Sequence, residues 1–167
     1  MKAGFFEKYA LNCFLLLIPV MVWDIVLTDR LPMAFQPEFF WKNIPAFLSY
    51  GENISRTVIF ALALVMPLRI VRTKQKAGLL LYAAGLTVYF ACWLALIYFP
   101  DSSWSRSLPG FTAPAFTPFL WLAAIGMIGD SFYFKLPYKP WYYLLVALVF
   151  LLFHNIHAGI IYFRIYG

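Results

Sequence analysis

The chain has two histidines, His154 and His157, and both lie inside its last long apolar run. An i,i+3 spacing puts the two rings on one face of a helix. Ionisable groups inside a membrane helix are costly, so they usually mark a site. An imidazole there can act as a general acid or base near neutral pH, donate hydrogen bonds, or ligate a metal.

Other polar residues are expected at the same depth once the apolar runs are read as membrane helices. Counting rise from the segment starts, Asp24 falls roughly 8 Å below the outer edge, and Arg56 about 5 Å below it. The same count puts His154 and His157 roughly 10 and 6 Å below that edge. Glu52 and Asn53 are expected at the edge itself. Glu52 and Arg56 are i,i+4 with the acid first, the favourable order for an ion pair. Four helix-embedded ionisable groups in one leaflet are hard to justify by packing alone. His154, His157 and Asp24 are therefore the candidates for catalysis. Glu52, Asn53 and Arg56 are the candidates for ligand binding, with Arg56 holding a phosphate or carboxylate and Asn53 orienting it.

Each residue also has a plainer reading. Glu52–Arg56 is an ordinary pair for a helix start, and Asp24 has Arg56 as a structural partner. His154 alone could donate to a neighbouring helix carbonyl. Arg164 reads as an interfacial snorkelling residue. Asp101, Arg30 and Arg106 read as solvated loop charges, and Asp130 as a partner of Lys135 or a basic turn.

The residue count narrows the chemistry. Two axial haem ligands must come from opposite faces of the porphyrin, so histidines three apart on one helix cannot clamp one haem. The spacing alone does not call for a metal. If one were bound, His154 and His157 with Asp24 or Glu52 would offer nitrogen and oxygen ligands suited to zinc. No GxSxG, no HExxH and no catalytic setting for a cysteine occurs, and no cofactor is indicated.

Composition defines the elements that carry these residues. Of 167 residues, 63% are hydrophobic and 12% charged. Soluble domains average about 25% charged, which leaves the helical membrane proteins. Five segments are expected, at about 9–27, 53–71, 77–99, 113–134 and 141–163, the second with Asn53 or Ser55 able to cap its start. The first is read as a retained helix kinked near Pro19, because Asp29, Arg30, Leu31 and Pro32 offer no small-residue cleavage site. Residues 31–48, with Pro32, Pro37 and Pro45 among five bulky aromatics, read as an interfacial or re-entrant segment. Ala123, Gly126 and Asp130 are expected on one face of the fourth helix. The expected fold is thus all-α, a single five-helix transmembrane bundle over 1–167.

The net charge of +6 comes from basic residues flanking apolar runs, so nucleic acid is excluded as a partner. Lys2, Lys8, Arg69, Arg72, Lys74, Lys76, Lys135 and Lys139 fall on one side, and Arg30, Lys42, Arg56, Arg106 and Arg164 on the other. That asymmetry predicts the N-terminus inside and the C-terminus outside. Cys13 and Cys92 fall roughly 15 Å apart in depth, too far for a disulfide.

The expected function is an outward-facing polar pocket that binds, and can act on, a lipophilic anionic molecule such as a lipid or isoprenoid. The alternatives are a non-catalytic assembly or anchor subunit and an ion- or proton-coupled transport component. Below the polar layer segments two, three and five are almost wholly apolar, which argues against a relay within one chain. Expected partners are membrane lipids, with a homo-oligomer or a second membrane protein left open. The expected location is the inner membrane of a bacterium.

Overall fold

A computed structural model describes residues 9–167, which leaves Lys2 and Lys8 outside the described residues. The described chain is all helical, without strands. Six helices carry the fold: α1 (Ile18–Leu27), α2 (Ala46–Val65), α3 (Thr73–Tyr98), α4 (Leu108–Phe116), α5 (Pro118–Ile128) and α6 (Pro140–Tyr166). Three stretches are long and apolar enough to cross a membrane: α3 with 26 residues, Leu108–Ile128 with 21, and α6 with 27. About 20 apolar residues at 1.5 Å rise match a hydrocarbon core of about 30 Å.

The first segment is not one helix over 9–27. Asn12 caps a 3₁₀ turn at Cys13–Leu16, its side chain accepting from the Phe14 N–H at 3.0 Å. Helix α1 starts only at Ile18, with Pro19 in its first turn. Proline has no N–H to return to the preceding turn, so the helix cannot run through it. The chain before the break pairs instead with the end of α2: the Cys13 N–H donates to Met66 O at 2.8 Å, and the Leu68 N–H to Leu11 O at 3.0 Å.

Helix α2 begins seven residues before the expected start at Asn53. Pro45 supplies the extended residue that precedes it. Neither Asn53 nor Ser55 caps a terminus. Their side chains donate to the carbonyls of Ser49 (2.9 Å) and Gly51 (2.6 Å), the i−4 bond these residues form inside a helix. Glu52 and Asn53 therefore sit in the second turn of α2, not at its start.

The fourth segment starts earlier and ends earlier than 113–134. The Ser107 hydroxyl accepts from the Gly110 N–H at the start of α4. Pro114 and Pro118 remove two N–H donors, and the helix breaks at Thr117 between α4 and α5. Asp130 follows the last turn of α5 and does not share a helical face with Ala123 and Gly126. Its partners are Gln75 and Ser131, not Lys135: Gln75 Nε2 donates to Asp130 Oδ2 and to Ile128 O, both at 3.2 Å, and the Ser131 hydroxyl donates to Oδ1 at 2.9 Å. Gln75 Oε1 also accepts from the N–H groups of Val71 and Arg72, so one buried amide ties the start of α3 to the end of α5. Residues after Gly129 fold back, with the Tyr138 hydroxyl donating to Gly126 O at 2.9 Å. Burial pushes the Tyr138 phenol above its ordinary pKa, so it keeps the proton it donates.

On α3 the residues Gly78, Tyr82, Gly85, Tyr89, Trp93 and Leu96 are all buried. They recur at three- and four-residue steps, one face of a helix, and this face packs on α5. A Cβ added at Gly85 would stand 2.8 Å from the Trp121 backbone nitrogen, a contact that backbone cannot relieve by a rotamer change. Gly85→Ala is expected to force α3 from α5 and cost about 1–3 kcal/mol, read as a lower unfolding midpoint in detergent. Cys13 and Cys92 are both free thiols.

Candidate functional site

Glu52 is the centre of the site. It is 0% exposed and carries no apolar function there. Three side chains converge on its two oxygens. Arg56 Nη2, one helical turn later, pairs with Oε1. His154 Nδ1 lies 3.1 Å from Oε1, and His157 Nδ1 lies 2.8 Å from Oε2. The i,i+4 step on α2 and the i,i+3 step on α6 bring all four groups to the seam between these helices.

His157 is fully buried, and its second nitrogen is also spoken for. Nε2 lies 2.8 Å from the carbonyl oxygen of Phe40. A carbonyl only accepts, so Nε2 carries a hydrogen. One more hydrogen lies between Nδ1 and Glu52 Oε2. Whichever atom holds it, imidazolium with carboxylate or imidazole with carboxylic acid, His157 and Glu52 together are neutral. The rings of Phe40 and Trp41 cover His157 at centroid distances of 4.1 and 4.6 Å.

His154 differs. Glu52 Oε1 already accepts from Arg56, so His154 meets it as a donor through Nδ1–H. Its ring stacks on Phe150 at 5.3 Å, and its side chain keeps 21% exposure. The Arg56 guanidinium lies over the same Phe150 ring, 5.4 Å from the centroid. His154 and Arg56 both line a cavity of ≈ 440 Å³, and Glu52 and His157 stand behind them. Pockets of this size suit a small lipophilic ligand.

Asp24 of α1 is a third polar group on the cavity wall. It is bound neither to Arg56 nor to the histidines. The Tyr89 hydroxyl of α3 donates to its Oδ1 at 2.8 Å. Apart from Thr28 and Tyr89 the rest of the wall is apolar or aromatic, with Phe40, Trp93, Phe111, Trp121 and Phe150 prominent. The Trp121 indole N–H is buried without a protein acceptor.

The expected residues thus divide. Glu52, Arg56, His154 and His157 form one hydrogen-bonded group, and Asp24 faces the same cavity from another helix. Asn53 is exposed, does not line the cavity, and spends its amide on Ser49 O. Among the described residues no three of His, Cys, Asp or Glu are arranged to hold a metal ion. The histidine nitrogens that would ligate with Glu52 are used on its oxygens instead. Tyr89 and the Phe40 carbonyl complete the site without having been singled out from the sequence. Tyr89 was legible in principle, because it falls on the Tyr82–Trp93 face of α3. A backbone carbonyl leaves no such trace.

Fold and site define an all-helical protein with helices able to cross a membrane and a polar cluster facing an apolar cavity. Against family models, curated proteins and solved structures the chain shows no match.

Proposed function

We propose that this is an integral membrane protein whose cavity binds, and can act on, a lipophilic molecule with an anionic group, such as a lipid or isoprenoid. The observation that carries this reading is the hydrogen count at His157. Because Glu52 and His157 are neutral together, Glu52 does not cancel the charge of Arg56. A guanidinium with free donors then stands on the wall of an apolar cavity, suited to a carboxylate or phosphate. Asp24, held by Tyr89, and His154, oriented by Glu52, supply the acid–base groups for any reaction.

In this reading α3, the α4–α5 pair and α6 cross the membrane. Residues 13–27 and α2 complete a five-segment arrangement with the N-terminus inside, in the inner membrane of a bacterium. Transport finds less support. Along α5 from the cavity-lining Trp121 to Asp130, the buried side chains are Leu122, Ala124, Ile125 and Ile128, all apolar. The assembly-subunit reading draws on the low burial of α3 and α6, 28% and 33% over their most apolar windows, which leaves broad faces for lipid or for another protein.

The test compares a long-chain carboxylate or isoprenyl phosphate with the matching neutral alcohol, titrated into purified protein in detergent. Arg56→Gln is expected to weaken binding of the anionic probe by about tenfold or more, the loss of one charge-assisted contact, and to leave the alcohol nearly unchanged. Equal losses for both probes, or none for either, would overturn the anionic reading.

A further inference from the structure

Residues 31–45 close part of the cavity without a long helix of their own. Leu31, Phe35 and Phe40 reach the cavity wall from a 3₁₀ turn at Met33–Phe35, a single α-turn at Pro37–Phe40 and the irregular chain around them. Elements this short do not hold themselves in place. Within the segment, Gln36 Nε2 donates to Thr28 O and Leu31 O at 3.0 and 2.9 Å, which fixes its beginning to the end of α1.

The far end is held by α6. His157 Nε2 donates to Phe40 O at 2.8 Å, Arg164 Nη1 to Lys42 O at 2.7 Å, and Arg164 Nη2 to Asn43 O at 3.5 Å. His157 and Arg164 are seven residues apart, hence on one face of α6. Asn43 turns the chain with φ of 55°, a conformation Asn adopts more readily than most residues. The outer surface nearby is apolar, with Ile25, Met33 and Phe47 all more than two-thirds exposed.

We propose that residues 31–45 are a gate on the cavity, latched to α6 by His157 and Arg164, through which the ligand enters from the surrounding lipid. This rests on the ligand-binding reading above. His157 links latch and site, because one nitrogen holds the gate and the other holds Glu52. Arg164 serves the latch alone, since it is exposed and does not line the cavity. It is therefore the residue to change.

The experiment uses the full chain in lipid nanodiscs, with backbone amide exchange followed by mass spectrometry and a fluorescent long-chain carboxylate as the probe. In Arg164→Ala, exchange over residues 33–43 is expected to quicken by about tenfold or more, while residues 52–60 of α2 stay as in the wild type. Probe uptake and release should both quicken, with Kd moving by less than about threefold, as for a barrier lowered without a change in the bound state. Arg164→Lys keeps a cation within reach of the carbonyls and should restore most of the protection. If Arg164→Ala does not fold, Arg164→Met, which keeps apolar bulk and has no donor, is measured in its place with the same expectations. Unchanged exchange, or faster exchange with unchanged probe rates, would overturn the gate. A wild-type protein that takes up no probe would instead overturn the binding reading.

Discussion

Glu52→Ala is expected to be the most destabilising single substitution in the site. Glu52 is wholly buried and accepts from three side chains. Removing it leaves His157 Nδ1, His154 Nδ1 and one arm of Arg56 facing a void. Breaking a buried pair by deleting one partner typically costs about 3–5 kcal/mol. The share due to Arg56 is smaller, because its side chain is 36% exposed and solvent takes over its hydrogen bonds. Glu52→Gln should fall between the mutant and the wild type. Its Oε1 still accepts from Arg56 or His154, and its Nε2–H can donate to His157 Nδ1, leaving His157 Nε2–H on Phe40 O. Unfolding midpoints of the three proteins in one detergent check this order. If Glu52→Ala unfolds at the wild-type midpoint, the three contacts on this carboxylate contribute nothing to the fold.

The same residue shows what could be read without coordinates. The phases of Glu52–Arg56 and His154–His157 are helical, and helical periodicity holds wherever a helix forms. That the two pairs would meet on a single carboxylate was not written in either helix. It follows from where α2 starts, and Pro45 rather than Asn53 decides that start. Local cap signals misled at Asn53 because mid-helix Asn and Ser can satisfy themselves on the preceding turn. At Pro19 the outcome is a break rather than the expected kink, because the helix starts only at Ile18. Asp24 was expected at the depth of the histidines, but its partner Tyr89 is 65 residues away, a distance that no pattern along the chain encodes. The Gln75–Asp130 bond was missed for the same reason. Composition identified the helical class, whereas the pairings across helices required the fold.

His154→Ala and His157→Ala are expected to separate function from stability, although the two residues are one helical turn apart. His157 is 0% exposed, bonded on both nitrogens and covered by Phe40 and Trp41. Its loss strands Glu52 Oε2 and the Phe40 carbonyl in a dry interior, so His157→Ala should lower stability by a few kcal/mol. His154 bonds Glu52 through one nitrogen and meets the cavity with the rest of its ring. Without it, Glu52 Oε1 still has Arg56, so His154→Ala should fold with a cost near 1 kcal/mol. In the proposed reading, where the cavity acts on its ligand, the effect falls on chemistry instead. An imidazole held by a carboxylate through Nδ1–H presents Nε2 as a base, and general acid–base catalysis of this kind contributes about 10²–10⁴ in rate. His154→Ala is thus expected to cut turnover of a lipophilic substrate by about 10² or more while Kd for the carboxylate probe moves little, since Arg56 remains. His154→Gln restores a donor to Glu52 but no base, so it should recover the stability and leave turnover low. If His154→Gln recovers turnover, the ring acts only by positioning Glu52 and Arg56. If both histidine variants lose stability equally and probe binding survives in each, the two residues form one structural clamp and the cavity works without a base.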